Sequence, residues 1–462
     1  MDFDRIKERL DQLLAAQRHG ELRGALMMLN EVDIAEYLQT LGKDRMLMVF
    51  RVLPKDISSD VFSYMDSDQR QDLIESIGDA EVAKLVNDMF IDDAVDFLEE
   101  MPANLVKRLL QNTDLERRVL LNQFLRYPEN SAGSIMTIEY CEFRKGTKVS
   151  RAMEELKRTG IDKETIYTLY VIDDKRQLVG TVPLRRLIMA ADDALIDSVM
   201  DTGVISVHTL DDQETVADTV RKYDFMSIPV VDQEQRLVGI ITVDDIMDVI
   251  EEENTEDFEK MGALIPSEDE YMKTDIWGLA RNRIPWLLIL MISATFTGMI
   301  ITHYEDVLKT SAIGVVLMSS IPMLMDTGGN CGSQTSVLVI RGLALGELGF
   351  KDLLTILWKE IRVAAIVGAV LAAVNFLRMT AIELIVTGGA INWSANVGVW
   401  IVVSTSVFLT TVIAKSIGCV LPLAAKRVSL DPALMASPLI TTIVDAGALT
   451  VLFVIATKFL AV

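Results

Sequence analysis

The sequence predicts a multidomain membrane protein. It reads as an all-α superhelical N-domain, then a duplicated α/β unit, then an α-helical transmembrane domain with five spans. Three observations carry this. The 462 residues divide into an acidic part and an apolar part: residues 1–276 hold 58 Asp and Glu against 32 Lys and Arg, and residues 277–462 hold 9 against 12. The apolar part contains five runs of membrane-spanning length. The acidic part contains a repeat at a spacing of 59 residues.

Residues 1–130 form the helical N-domain. Apolar spacing recurs throughout, with short breaks at "LPKD", "SIGD" and "MPAN", the pattern of stacked short helices. The opening "MDFDRIKERLDQLL" is charged from its start. It reads as an amphipathic helix facing the cytoplasm rather than a signal peptide. The stretch "IDDAVDFLEE" concentrates Asp92, Asp93, Asp96, Glu99 and Glu100. Asp92 or Asp93 suits a helix cap, whereas Asp96 with Glu99 or Glu100 puts like charges on one face. A bound cation would offset that repulsion.

Residues 131–250 hold the repeat. "LYVIDDKRQLVGTVPLRRLI" realigns with "IPVVDQEQRLVGIITVDDIM", matching Val171, Asp173, Leu178, Val179 and Gly180 to Val230, Asp232, Leu237, Val238 and Gly239. Each copy reads helix, strand, polar turn, strand, helix, because short β-branched runs give way to a helical period. This resembles a CBS-domain pair, a regulatory fold that often binds adenine nucleotides. The ligand signature of that fold is matched once, by Gly239, Thr242 and Asp245. The first copy has Pro183 and Arg186 at the Thr and Asp positions. The resemblance therefore implies one site for ATP, or a pair that only transmits force.

Residues 251–276 form an acidic connecting helix, whose acids far outnumber its lysines and whose apolar spacing continues from Ile246, Val249 and Ile250. Such a run is ordinarily a solvated linker; the continuing period favours a rigid rod beside the membrane.

Residues 277–462 form the membrane domain. The run 284–302 is uncharged over 19 residues, about 28 Å as a helix against a hydrocarbon core of roughly 30 Å. Further spans are expected at 311–340, 363–387, 396–414 and 433–457. With residues 1–276 inside, the inner flanks hold Arg281, Arg283, Arg341, Lys351, Lys359, Arg362, Lys415, Lys426 and Arg427. The outer flanks hold Lys309, Arg378 and Lys458. That asymmetry places the acidic part in the cytoplasm and Val462 outside. Arg378 and Lys415 are expected to snorkel toward span ends.

Two polar features interrupt the spans. "LMDTGGNCGSQ" brings Asp326, Gly328, Asn330 and Gln334 to membrane depth. Glycines there permit a broken helix whose freed carbonyls face a cation, or a close helix crossing. In "SPLITTIVDAGALTVLF", Thr441, Thr442 and Asp445 share one helix face, and Pro438 is expected to free the Leu434 carbonyl. A mid-bilayer carboxylate costs at least ~2.5–3.5 kcal/mol on insertion scales. Asp445 therefore faces a hydrated cation path, or is a protonated carboxyl bonded to another helix.

The composition argues against several other functions. An acidic surface is a poor partner for nucleic acid. Three scattered cysteines and three isolated histidines make neither a disulfide framework nor a zinc or haem site. Asp326-Thr-Gly recurs as Asp201-Thr-Gly, so the tripeptide is a weak protease signal. The lone Gly42-Lys43 pair lacks the rest of a P-loop.

Taken together, the motifs resemble the MgtE family of magnesium channels and transporters. The carrying stretches are "PWLLIL", "GGNCGSQ" followed by "VIRGLALGEL", and "DPALMASPLITTIVDAG". The resemblance covers nearly the whole chain. It implies no enzyme but a homodimer in the lipid bilayer of the plasma (inner) membrane, with a Mg²⁺ pore centred on Asp445. Asn330, Gly328 and Thr441 would contact the ion's water shell, since Mg²⁺ dehydrates reluctantly. It also implies cytosolic Mg²⁺ sites that hold the channel shut. For these we expect Asp92, Asp93 and Asp96 against Asp245, Asp248, Glu252, Glu256 and Asp257. The rivals are a CBS-regulated carrier of another divalent cation such as Co²⁺, an Na⁺-coupled exporter, and a membrane-tethered sensor without a pore.

Overall fold

The structure is a computed structural model describing residues 3–267, 271–272, 274–305, 312–387 and 393–460. Lys309 and Val462, used above for orientation, and Glu268, Asp269 and Glu270 of the acidic run lie outside the described residues. The chain forms two compact units, Met1–Ile250 and Glu251–Val462.

The first unit begins with ten helices, α1 (Phe3–Ala15) to α10 (Leu115–Phe124). The breaks in the sequence are their boundaries. Pro54 precedes α5 (Lys55–Ser63), Gly78 precedes α7 (Asp79–Asp88), and Pro102 precedes α9 (Ala103–Asn112). Proline and glycine suit these points because the first amide groups of a helix have no partner within it. Between α7 and α9 runs α8 (Ile91–Glu99), which buries Ile91, Ala94, Val95, Phe97 and Leu98. Phe97 meets Phe62 edge to face, ring centres 5.1 Å apart, a favoured aromatic geometry.

The repeat folds as two three-stranded sheets. The first joins β1 (Glu142–Arg144), β2 (Thr168–Ile172) and β3 (Leu178–Pro183), with α11 (Val149–Thr159) after β1 and α12 (Leu184–Met189) after β3. The second joins β4 (Val207–His208), β5 (Ser227–Val231) and β6 (Leu237–Thr242), with α13 (Gln213–Tyr223) and α14 (Val243–Met261) in the same places. In each sheet the first pairing is parallel and the second antiparallel. Val171 opposes Gly180 as Val230 opposes Gly239. The short strands β1 and β4 were not expected, since two or three paired residues leave no periodic signal.

The matched residues are structural in both copies. Asp173 accepts hydrogen bonds from the amides of Lys175 and Gln177, and Asp232 from those of Glu234 and Arg236. Each aspartate thus closes its own hairpin turn. The hairpins also exchange backbone bonds: Leu178 N–H donates to Gln235 O (3.0 Å) and Leu237 N–H to Arg176 O (3.1 Å). A Cβ on Gly180 would lie 2.6 Å from Met200 Sδ, and one on Gly239 2.7 Å from Met136 Sδ. One hydrophobic core runs from the N-terminal helices into the second sheet, through Ile228, Val230, Ile241, Ile246 and Val249.

The connecting helix differs from its expected bounds. It belongs to α14, which starts at Val243 and stops at Met261. Gly262 follows, Ala263 adopts a left-handed φ of 55°, and Pro266 comes soon after. These residues end a helix rather than extend it to 276.

The second unit contains α15 (Ile276–His303), α16 (Ala312–Ala344), α17 (Leu353–Val386), α18 (Trp393–Arg427) and α19 (Ser437–Phe459). Asp275 caps α15 by accepting from Gly278 N–H at 2.8 Å. Among the described residues, four helical segments are long and apolar enough to cross a membrane: Ile276–His303, Phe350–Val386, Asn396–Arg427 and Pro432–Phe459. The other expected span corresponds to α16, a 33-residue helix with the polar stretch in its middle, and it is not among those four.

Candidate functional site

Helix α16 runs unbroken through Asp326–Gln334, which corrects the expectation of a broken helix with free carbonyls. Its glycines are used for contact. A Cβ on Gly328 would lie 2.7 Å from Thr410 Cγ2 and 2.9 Å from Val444 Cγ1, and one on Gly329 2.9 Å from Thr441 Cγ2. A Cβ on Gly418 of α18 would collide with the Gly332 carbonyl oxygen. Small residues let helices α16, α18 and α19 approach to backbone contact, and the main-chain hydrogen bonds stay intact.

On the free side of that helix, Asp326 and Asn330 are exposed. Asn330 Nδ2 donates to Asp326 Oδ1 at 3.2 Å, as residues four apart in a helix can. Asp445 on α19 is half-buried, and its charge interacts with that of Asp326. Thr441 and Thr442 both donate to Pro438 O, at 2.9 and 3.0 Å. Pro438 occupies the first turn of α19, where no intrahelical N–H bond is due. It therefore does not free the Leu434 carbonyl as expected.

Lys415 also departs from expectation. It does not snorkel: its side chain is 7% exposed, and Nζ donates to Thr335 Oγ1 at 3.1 Å. Arg378 donates from Nε and Nη2 to Asn375 Oδ1, at 3.2 and 2.9 Å.

The first unit gathers a second acidic site. Asp92 and Asp93 stand in the first turn of α8, and Asp244 and Asp245 in the first turn of α14. A helix N-terminus favours such placement locally, but packing brings the pairs together. Burial, and then the Asp245 charge, push the Asp92 carboxyl well above the usual carboxylate range. Burial and then Asp60 raise Asp93 to about 6. Asp96 is exposed, yet desolvation of its carboxyl and then the Asp93 charge raise it to about 7. Desolvation raises Asp245 to about 6, although Thr242 N–H and Oγ1–H both donate to its Oδ2. Glu164 rises to about 8 through burial and then Asp245. Its Oε2 is buried without a hydrogen-bond partner among the described residues, an uncommon and costly state for a carboxylate oxygen.

Sequence reasoning missed Glu164, Asp60 and the role of Asp244. Glu164 follows a short 3-10 turn and carries no local signal; only the fold brings it to α14. Asp248 and Glu252 lie on exposed parts of α14. Glu256 and Asp257 belong to a separate group in the second unit. There Lys260 Nζ bridges Glu256 Oε1 (2.6 Å) and Asp431 Oδ2 (2.7 Å), and desolvation and then Asp431 raise Asp257 to about 6. Among the described residues, no three His, Cys, Asp or Glu side chains converge so as to hold a metal ion.

Comparison with known proteins adds to this geometry. The family described as the MgtE intracellular N domain matches residues 29–130, the CBS domain matches 196–252, and the divalent cation transporter family MgtE matches 321–455. The magnesium transporter MgtE of Thermus thermophilus is 33% identical over 95% of this chain and 96% of its own. This chain belongs to the MgtE family. The magnesium transporter MgtE of Bacillus subtilis is 32% identical over 100% of this chain and 98% of its own. A solved structure described as the soluble part of a magnesium transporter is similar with a TM-score of 0.53 at 33% identity, covering 55% of this chain and 99% of that one. Another, described as the cytosolic domain of the Mg²⁺ channel MgtE in complex with ATP, gives 0.50 at 33% identity, covering 53% and 99%. Membership makes this protein a multi-pass membrane transporter rather than an enzyme. The MgtE transporter match spans both Asp326 and Asp445. The CBS match covers the second repeat, where Gly239, Thr242 and Asp245 lie; in the first, Arg186 binds Asp201 at 2.6 Å.

Proposed function

We propose that this MgtE protein carries Mg²⁺ into the cytoplasm along a path lined by Asp445, Asp326, Asn330 and Thr441, and that α16 is a fifth span. One observation carries the reading: two exposed polar side chains, Asp326 and Asn330, stand near the middle of a long helix beside a second carboxylate, Asp445. Polar groups at that depth persist only where water or protein covers them. A second copy of the chain, with its own Asp445 across a two-fold axis, would enclose such a path. Carboxylates and amides there would meet the ion's retained waters. Gly328 contributes by close packing, which sets how near α16 lies to α19. A divalent ion gains roughly 4.6 kcal/mol on entering at 100 mV, inside negative, so no hydrolysis is needed. The orientation with residues 1–276 cytoplasmic and the C-terminus outside rests on the Lys and Arg asymmetry.

Cytosolic Mg²⁺ closes the channel by bridging the carboxylates of α8 and α14. Asp92, Asp93, Asp245 and Glu164 are held in a geometry that repels without a cation, so Mg²⁺ favours the compact state by differential affinity. Asp96 and Asp244 add to the same field. Glu256, Asp257 and Asp431 form a second acidic group suited to the same ion, already partly neutralised by Lys260. ATP, present in the related cytosolic structure, is a candidate regulatory ligand at Thr242 and Asp245, a position shared with the cation cluster.

The test is Mg²⁺ flux into proteoliposomes. Asp445→Asn should abolish most flux while leaving the amount of folded protein unchanged. Flux and selectivity equal to wild type would refute the pore assignment.

A further inference from the structure

The buried lysine of the membrane unit has no part in the path proposed above, yet it is placed with care. Lys415 Nζ on α18 donates to Thr335 Oγ1 on α16 at 3.1 Å, and Thr335 Oγ1 donates to Glu360 Oε2 on α17 at 3.0 Å. Nζ and Oε2 are 3.9 Å apart, and the two charged side chains are only 7% and 15% exposed. The hydroxyl thus sits between an ammonium and a carboxylate, accepting from one and donating to the other. A buried ion pair is retained only where hydrogen bonds support it, and here a single threonine hydroxyl bonds to both charged groups.

Two neighbouring contacts share this level. Gly332 lies one turn before Thr335, and Gly418 one turn after Lys415, and these glycines meet backbone to backbone. The next residue, Ser336, donates from Oγ to Met435 O at 2.9 Å. Met435 ends the 3-10 turn Pro432–Met435 that leads into α19. Successive residues of α16 therefore fasten it to α17, to α18 and to the lead-in of α19. Asn330 and Asp326 are five and nine residues upstream, about 8 and 14 Å along the helix axis. A slip of one residue would turn the helix by about 100° and carry both side chains off the open face.

We propose that Lys415, Thr335 and Glu360 are positioning residues for transport: a charged clamp that fixes the rotation and axial height of α16, and so holds Asp326 and Asn330 level with Asp445. Thr335 is its centre. The inference rests on the proposed path, so Asp445→Asn is measured beside every variant.

The experiment measures Mg²⁺ flux at saturating and subsaturating Mg²⁺ in proteoliposomes of the full chain, normalised to incorporated, monodisperse protein. Thr335→Val keeps the shape and removes both hydrogen bonds. It should lower maximal flux roughly tenfold, the scale of a lost hydrogen bond to a charged group, with the half-saturating concentration unchanged. Thr335→Ser restores the hydroxyl and should restore flux. Wild-type flux in Thr335→Val, or equal loss in Thr335→Ser, overturns the clamp. If Thr335→Val does not yield monodisperse protein, the double variant Lys415→Met with Glu360→Gln decides. It leaves no buried charge unpaired, so reduced flux from well-folded protein supports the proposal and wild-type flux overturns it. Should Asp445→Asn also transport normally, the path itself has failed, a result distinguishable from failure of the clamp alone.

Discussion

Asp245→Asn in the first unit tests the cation-sensing reading directly. Desolvation and neighbouring carboxylates move Asp245 from 3.8 to about 6, two pKa units, or ~3 kcal/mol against its charged form. Partial access to water makes that an upper bound, so ~1–2 kcal/mol is the working value. A raised carboxyl contributes no penalty below about pH 4, where it is protonated folded or unfolded, and its full penalty once the pH passes its folded value near 6. Without divalent ions, the packing of α8 on α14 should therefore weaken from pH 5 to pH 8. Mg²⁺ at a hundred times its dissociation constant returns about 2.7 kcal/mol, enough to cancel the penalty. The asparagine still accepts from Thr242 but carries no charge. Amide hydrogen exchange of Ile91–Glu99 in the full-length protein reads the outcome. At pH 8 without Mg²⁺, the variant should exchange roughly tenfold more slowly than wild type, as the working value requires, and added Mg²⁺ should slow it little further. Wild-type protection that rises with pH in the absence of divalents, or a Mg²⁺ response unchanged by the substitution, would refute the reasoning.

Two further outcomes follow from single contacts. Gly418→Ala places a methyl against the Gly332 carbonyl oxygen, so thermal unfolding of the membrane unit should show a loss of about 1–3 kcal/mol, the usual cost of overpacking; an unchanged midpoint would mean the helices part freely. Lys260→Met leaves Glu256, Asp257 and Asp431 without their ammonium; exchange at residues 256–261 should quicken roughly tenfold above pH 6, and Mg²⁺ should reverse it.

Much of the fold was legible because it is written in local pattern. The 59-residue repeat coincides with β2 and β5, and with β3 and β6. The Pro and Gly breaks coincide with the ends of the N-terminal helices, since those residues act through their own backbone. Tertiary effects were not legible. Glycines at 328, 329 and 332 read as flexibility, but neighbouring helices press against them and the helix continues. Lys415 reads as a snorkelling residue until Glu360, 55 residues away in sequence, is seen beside it. Glu164 has no motif, and its place beside Asp245 comes from the loop before β2, which is held by the Glu164 N–H bond to Glu139 O. The acids and apolar spacing after residue 250 suggest a longer helix than forms, because Gly262 and Pro266 end it at Met261.

The paired hairpins of the α/β unit have a mechanical consequence. Because Leu178 hydrogen-bonds the tip of the second hairpin and Leu237 the tip of the first, loosening one hairpin strains its neighbour. A displacement of one tip is therefore passed to the other.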